Sequence, residues 1–531
     1  MPSFWRRATG LAGGFRTPIS TSGIRETVIG ARAHIGNMDL DQDACYRAVE
    51  TRDARFDGRF FSAVKTTGIY CRPVCPASTP RRRNMAFYPT AAAAEEAGFR
   101  PCLRCRPETA PDVGAWRGSS NTVNRALALI EHGALDEGRD VAALAERLGV
   151  GERQLRRLFR QHLGASPVSV AQTRRVHLAK QLLHETRLPM AEVALASGFG
   201  SIRRFNETFQ ALFGRPPGAL RRETAGEASA DPLGEVVLRL RYRPPYDWDA
   251  MLAFLAARAV PGMEVVEDGA YSRVIELDGA IGSVRVRPAP GEDALVAAVR
   301  FPRLSCLPTV IARLRRVFDL AADPQAINAH LSRDPVLQPL VAARPGLRAP
   351  GGWDGFELAL RAILGQQVTV GAAIALAGKL VAAYGEPAPA SATGDPRLTH
   401  AFPRPERLAG ADLASLGMPG ARARALSGLA AAVLADPDLL GLDRSLDQAV
   451  ARLKALPGVG EWTAQYIALR GMREPDAFPA ADVGLMRAMA GPDGARPDAA
   501  RLLARAEAWR PWRAYAAQHL WSAQAVTRSR E

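Results

Sequence analysis

Between Asn121 and Arg222 the apolar positions recur at helical spacing. Leu155, Leu158 and Phe159 share one face, and Arg153, Arg156, Arg157 and Arg160 cover the rest. Phe205, Phe209, Leu212 and Phe213 repeat the pattern at i, i+4, i+7 and i+8, with Arg203 and Arg204 near the helix start. Each basic helix follows a short helix and a Gly-containing turn, VAALAERLGVG and then MAEVALASGFGS. This is helix-turn-helix patterning used twice, about 48 residues apart. The pattern alone also fits two ordinary surface helices with solvated arginines. Downstream the period changes. Val236–Tyr242 and Ile281–Val286 alternate, which predicts antiparallel strands within 236–300. Beyond Pro302 the chain reads as Ala/Leu-rich helices broken by Gly/Pro turns.

The remaining segments are set apart by composition. Residues 1–38 are Gly- and Arg-rich, lack sustained periodicity and read as a disordered extension or a start placed too early, with an organellar leader as the alternative. Residues 39–113 form a compact cysteine-containing module, 119–223 the helical segment and 224–233 a small, polar linker. Residues 234–305 form the sheet segment and 306–524 the helical remainder. The expected fold class is multidomain, mainly α with α+β parts: a small cysteine-bearing α/β domain, a double helix-turn-helix bundle, an antiparallel sheet subdomain and a helical domain. No apolar run reaches membrane-spanning length, since Ala362–Gly378 is interrupted by Gln366 and Gln367. The net charge of +15 is concentrated in the first 223 residues and suggests a polyanionic partner.

Six cysteines in 531 residues exclude a disulfide scaffold, yet four are clustered. Cys71 and Cys75 lie in CRPVC, and Cys102 and Cys105 in CLRC, with 26 residues between the pairs. Two close pairs fold four thiolates around one tetrahedral Zn²⁺. Unrelated buried cysteines or a Cys102/Cys105 redox pair are the alternatives. Four thiolates on one divalent cation leave a formal charge of about −2, so the sulfurs stay nucleophilic. Spacing alone favours a structural zinc. Lys65, Arg72, Arg81, Arg82, Arg83, Arg100, Arg104 and Arg106 surround the cluster and suit a phosphate backbone.

Arg55–Ala77 (RFDGRFFSAVKTTGIYCRPVCPA) and Ala97–Cys105 (AGFRPCLRC) resemble the N-terminal domain of Ada-type DNA repair proteins. The resemblance implies that Cys71 accepts a methyl group from a methylated DNA phosphate, with Cys75, Cys102 and Cys105 as fellow zinc ligands. A methyl phosphotriester is neutral, so an anionic thiolate centre can approach it. Ala196–Arg221 (ASGFGSIRRFNETFQALFGRPPGALR) resembles the signature of AraC-type transcription regulators. That implies residues 152–163 and 202–213 as the groove-entering helices, with Arg153, Arg156, Arg203 and Arg204 as DNA contacts.

Leu456–Gly460 (LPGVG), between two helical segments, is a hairpin whose glycines, Gly458 and Gly460, let backbone N–H groups approach a phosphate. An L-P-G turn also ends ordinary helices, and a lone aspartate such as Asp482 is ordinarily a cap or a solvated charge. Four segments together narrow the reading: Tyr242–Glu264, AILGQQVTV (Ala362–Val370), LPGVGEWTAQYIALRG (Leu456–Gly471) and PWRAYAAQHLW (Pro511–Trp521) resemble AlkA-type 3-methyladenine DNA glycosylases of the helix-hairpin-helix superfamily. The resemblance implies Asp482 as the catalytic carboxylate, Phe254, Trp462, Tyr466 and Trp521 as base-pocket walls, and Gln366 and Gln367 as the wedge into the duplex. It also brings a monovalent cation at the hairpin as a further expectation. Strand-cleaving relatives carry a lysine where this chain has Trp462, so a monofunctional glycosylase is expected. The P-C-H-R motif of a methyltransferase domain is absent, so O6-alkylguanine repair is not expected.

The expectation is therefore an alkylation sensor, transcription regulator and alkylbase glycosylase in one chain. Its partners would be alkylated and promoter double-stranded DNA and RNA polymerase. It would be a monomer without membrane association, cytoplasmic and nucleoid-associated. The rival readings are a non-enzymatic transcription factor with structural zinc, and a glycosylase with a nonspecific DNA tether.

Overall fold

The computed structural model describes residues 41–111, 121–136, 140–221, 235–441, 444–491 and 493–528. The expectations for residues 1–38 and for the linker at 224–233 lie outside them.

The first module pairs helix α1 (Gln42–Glu50) with four short strands: β1 (Phe61–Val64), β2 (Ile69–Cys71), β3 (Met85–Tyr88) and β4 (Arg100–Pro101), in the order β3-β1-β2-β4. Its decisive feature is the parallel register Ile69↔Arg100 and Tyr70↔Pro101. One more step along each strand brings Cys71 and Cys102 to the same end of the sheet. Helix α2 (Ala91–Glu96) covers one face with alanines.

Six helices follow: α3 (Asn121–Glu131), α4 (Val141–Arg147), α5 (Glu152–Leu163), α6 (Pro167–Glu185), α7 (Met190–Ala196) and α8 (Ile202–Phe213). Helices α5 and α8 are copies offset by 50 residues, close to the expected 48. Leu155, Phe159 and Leu163 are buried in one, and Phe205, Phe209 and Phe213 in the other. Both end on a left-handed glycine, Gly164 (φ +69°) and Gly214 (φ +66°).

The next segment is a five-stranded antiparallel sheet of β5 (Val236–Arg241), β6 (Glu264–Glu267), β7 (Ala270–Leu277), β8 (Ala280–Pro288) and β9 (Ala294–Arg300), in the order β5-β9-β8-β7-β6. In β5, Val236, Leu238 and Leu240 point inward while Val237 and Arg239 are exposed. That inner face does not close on itself. Leu238, Leu240, Val299 and Phe318 share one continuous apolar core with Leu182, Val193, Phe205 and Phe209 of the second helix-turn-helix unit. A separate, larger core fills the helical remainder. Among the described residues no helix is long and apolar enough to cross a membrane.

Polar contacts fasten the first module on two sides. The Tyr70 hydroxyl, fully buried, donates to Glu95 at 2.8 Å and lies 3.0 Å from His177 of α6. Lys180 of α6 and Glu108 pair at 2.6 Å with no exposed side-chain surface on either. On the other side Arg243 donates to the Asp57 carbonyl (3.1 Å) and pairs with Asp323 (2.7 Å), which also meets Arg59 (2.9 Å).

Candidate metal centre and base pocket

The four Sγ atoms of Cys71, Cys75, Cys102 and Cys105 lie within 4.8 Å of one another. A tetrahedral zinc with bonds of about 2.3 Å spaces its sulfurs about 3.8 Å apart, so the donor set fits that ion. The strand register supplies Cys71 and Cys102, and a tight turn (Cys75 N–H to Arg72 O, 3.1 Å) returns Cys75 to the same point. Backbone amides of Arg72 and Arg104 donate to Cys105 and Cys102 at 3.4 Å, drawing charge from those two sulfurs. Cys75, Cys102 and Cys105 are buried, whereas Cys71 is partly exposed. The residue matching the methyl-accepting position is thus the one of the four that is not fully buried.

Arg72 corrects an expectation. Its side chain is 13% exposed, pairs with Asp57 and donates to Thr109 (2.6 Å) and the Cys105 carbonyl (3.3 Å). It clamps the cysteine loop from within and leaves little of its surface for a phosphate backbone. Lys65, Arg81, Arg83 and Arg104 remain exposed around the centre.

On α5 and α8, Arg153, Arg156, Arg203 and Arg204 all stand on exposed faces. Arg156 pairs with Glu152 and Arg203 with Glu207, each one helical turn away. Exposed pairs of this kind contribute little to stability and yield readily to a phosphate.

The glycosylase-like segment gathers Asp482 with four aromatic rings. Asp482 caps the helix Val483–Ala488 by accepting from Leu485 N–H at 3.0 Å. The bland reading of a cap is thus correct but incomplete. Trp521 Nε1 donates to its Oδ1 at 2.9 Å, and Trp462 Nε1 to its Oδ2 at 2.8 Å. Trp462 stacks on Tyr466 at 5.2 Å and 15°, and Trp521 meets Tyr466 edge-on at 6.3 Å. Two cations that the sequence motifs do not single out complete the arrangement. Arg258 lies 3.9 Å and Arg470 4.4 Å from the Phe254 centroid, and Arg470 is also 5.6 Å from Tyr466 and 5.3 Å from Trp521. Burial alone would raise the Tyr466 hydroxyl, but Arg470 and Arg258 beside it hold it below its ordinary value. A signal for Arg470 does exist in the chain: Trp462, Tyr466 and Arg470 stand at i, i+4 and i+8 on one helix face.

The hairpin joins helices Leu446–Lys454 and Glu461–Arg470. Gly458 has φ +83°, and a Cβ there would stand 2.7 Å from the Ala425 methyl, so the chain itself requires glycine. At Gly460 a Cβ would meet nothing within 4 Å, which leaves that position open to a partner. The expected wedge pair divides. Gln366 Nε2 donates to Gly458 O and Thr463 Oγ1, both at 2.9 Å, so this side chain braces the hairpin. Gln367 is exposed with a left-handed φ of +54°, a strain of the kind kept at functional positions. Of the two, Gln367 is the one whose side chain is exposed.

Family models match as the metal binding domain of Ada (residues 44–108), a helix-turn-helix domain (144–223), the AlkA N-terminal domain (237–354) and the HhH-GPD superfamily base excision DNA repair protein (360–514). The chain is 39% identical over 285 residues to DNA-3-methyladenine glycosylase 2 of Escherichia coli, covering 53% of this chain and 95% of that one. It is 36% identical over 144 residues to the E. coli bifunctional transcriptional activator/DNA repair enzyme Ada, covering 27% and 39%. It is 46% identical over 490 residues to the probable bifunctional transcriptional activator/DNA repair enzyme AlkA of Mycobacterium tuberculosis, covering 91% of this chain and 97% of that one. The chain therefore belongs to the family of AlkA bifunctional transcriptional activator/DNA repair enzymes.

Proposed function

We infer that this protein is a bifunctional adaptive-response protein. It takes methyl groups from DNA methylphosphotriesters onto Cys71, regulates transcription through its paired helix-turn-helix units, and excises alkylated bases of the 3-methyladenine type. The observation that carries the reading is the coexistence, in one chain, of a complete four-cysteine centre with Cys71 partly exposed and a carboxylate clamped by two indoles within an aromatic cluster.

Bound by Cys71, Cys75, Cys102 and Cys105, zinc keeps the thiols ionised at neutral pH. Cys71 Sγ attacks the methyl carbon of the neutral triester. An S–C bond forms, the C–O bond breaks, and its electron pair stays on the phosphate as the diester is restored. The site loses one formal negative charge, which strengthens the hold of the surrounding cations on DNA. In the other half, the extruded base enters the pocket of Phe254, Trp462, Tyr466 and Trp521 while Gln367 takes its place in the stack. The C1′–N bond breaks with its electron pair passing to the base. Asp482 stabilises the oxocarbenium ion that develops on the sugar, and water then adds to C1′ with loss of a proton to solvent. With Trp462 in place of a lysine nucleophile, the strand is left uncut.

The segment bounds 39–113, 119–223, 234–305 and 306–524 belong to this reading. So do Arg153, Arg156, Arg203 and Arg204 as groove contacts, Gly458 and Gly460 as phosphate-facing hairpin positions, and a monovalent cation at the hairpin carbonyls. Contact with RNA polymerase, action as a monomer and residence at the nucleoid in the cytoplasm complete it. The test is to incubate the full chain with alkylated duplex DNA and follow protein mass and released bases together. The expected outcome is one added methyl, on Cys71, with free alkylpurine in solution and no strand cleavage. Label on another residue, or no released base, overturns the corresponding half.

A further inference from the structure

The geometry points to Arg470 as an electrostatic positioning residue for base release, a fixed cation behind the base pocket that opposes Asp482 across the bond to be broken. This rests on the glycosylase reading above.

Arg470 is 3% exposed, yet among the described residues no carboxylate pairs with it. Its Nη1 donates to the Pro350 carbonyl (2.8 Å) and its Nη2 to Gln518 Oε1 (2.9 Å), both neutral acceptors. The Tyr466 hydroxyl is its other polar neighbour, so its charge is fixed in position without a carboxylate against it. Burial brings the guanidinium down only to about 10, so it stays cationic at neutral pH. Among the described residues no ion pair joins it to Asp482. The two charges are instead linked through one side chain: Trp521 gives its indole N–H to the Asp482 carboxylate while the Arg470 guanidinium sits 5.3 Å from its ring centroid. Trp462 and Tyr466 repeat this, with the first bonded to Asp482, the second 5.6 Å from Arg470, and the two rings stacked. The carboxylate thus stands at the N–H edges of the aromatic wall, and the guanidinium stands against its ring faces.

Whatever base enters, cleavage moves an electron pair from C1′–N onto it. A cationic N-alkylpurine leaves neutral, so the Arg470 charge raises the energy of the bound substrate and that repulsion fades in the transition state. A neutral modified purine leaves with negative charge, which the same cation stabilises only in the transition state. Either way a positive charge on the base side and a negative one on the sugar side favour the same electron flow. The two substrate types differ in how removal of the charge will show.

The experiment is single-turnover excision and equilibrium binding by full-length wild type and Arg470→Met, with duplexes carrying 7-methylguanine (cationic) or hypoxanthine (neutral). For the cationic base, Arg470→Met is expected to bind about tenfold more tightly and cleave about tenfold more slowly per bound complex. For the neutral base, binding stays the same while cleavage slows by a similar factor. Weaker binding and slower cleavage together on both duplexes, or no change on either, overturn the role and leave Arg470 a packing residue. If wild type releases neither base, the glycosylase reading fails instead. Should Arg470→Met not fold, judged by its thermal melt and by loss of Cys71 methylation, Arg470→Lys retains the charge and is expected to bind the cationic duplex no more tightly than wild type. Tighter binding by that variant overturns the proposal.

Discussion

Asp482 shows how much one side chain can be asked to do. It caps a helix and accepts two indole N–H groups with the same two oxygens. Asp482→Asn keeps a good cap residue, so the fold should survive. We expect base release to fall by about 10²-fold or more while binding to abasic DNA persists, measured by single-turnover excision and fluorescence anisotropy. The hairpin glycines offer a paired test. Gly458→Ala forces a left-handed φ and a clash with Ala425, so it should lower stability by about 1–3 kcal/mol in denaturant titration. Gly460→Ala meets open space and should leave stability within about 0.5 kcal/mol, showing its cost in DNA affinity alone. Sequence names both glycines but cannot tell them apart, because the difference lies in Ala425, far away in the chain.

Among the elements, the paired helices are the most legible part. Residues 152–163 and 202–213 are bounded to the residue, because a strong apolar stripe, flanking glycines and an Arg-covered outer face all agree there. The antiparallel strands are recognisable from alternation, but their order is not, since alternation records which face is buried and says nothing about the neighbour. Arg72 misleads for a related reason. Its partner Asp57 lies 15 residues away, and a local run of cations cannot distinguish a clamp from a DNA contact. The helices also carry a prediction. Replacing Arg153 or Arg203 by Ala should leave the thermal melt essentially unchanged. It should weaken promoter binding and reduce the salt dependence of log K by about one unit for each phosphate that is no longer neutralised.

At the scale of the whole molecule, the modules are joined by interactions no single module would keep. Glu108 and Lys180 form an ion pair with no exposed side-chain surface between the cysteine module and α6. Burial alone would raise the Glu108 carboxyl, but the Lys180 ammonium overcomes it and holds the group at about 2, below the ordinary 4.5. A depressed carboxyl contributes stability above its unfolded value and loses it as pH falls toward the folded one. Thermal melts from pH 5 to pH 2 should show a loss of ~3 kcal/mol that Glu108→Gln does not share, since that variant lacks the stabilisation throughout.

The apolar core common to α6–α8 and the five-stranded sheet has a genetic corollary. A truncation such as Phe205→Ala, in a helix that serves transcription, removes about 3–5 kcal/mol from packing that the sheet depends on as well. Such an allele would score as a repair defect although its base pocket is intact, and a screen for regulatory mutants would keep recovering cells that are sensitive to alkylating agents. For the same reason, severing the chain within 224–233 should leave two pieces that co-elute. Selection acting on either activity holds the other in place.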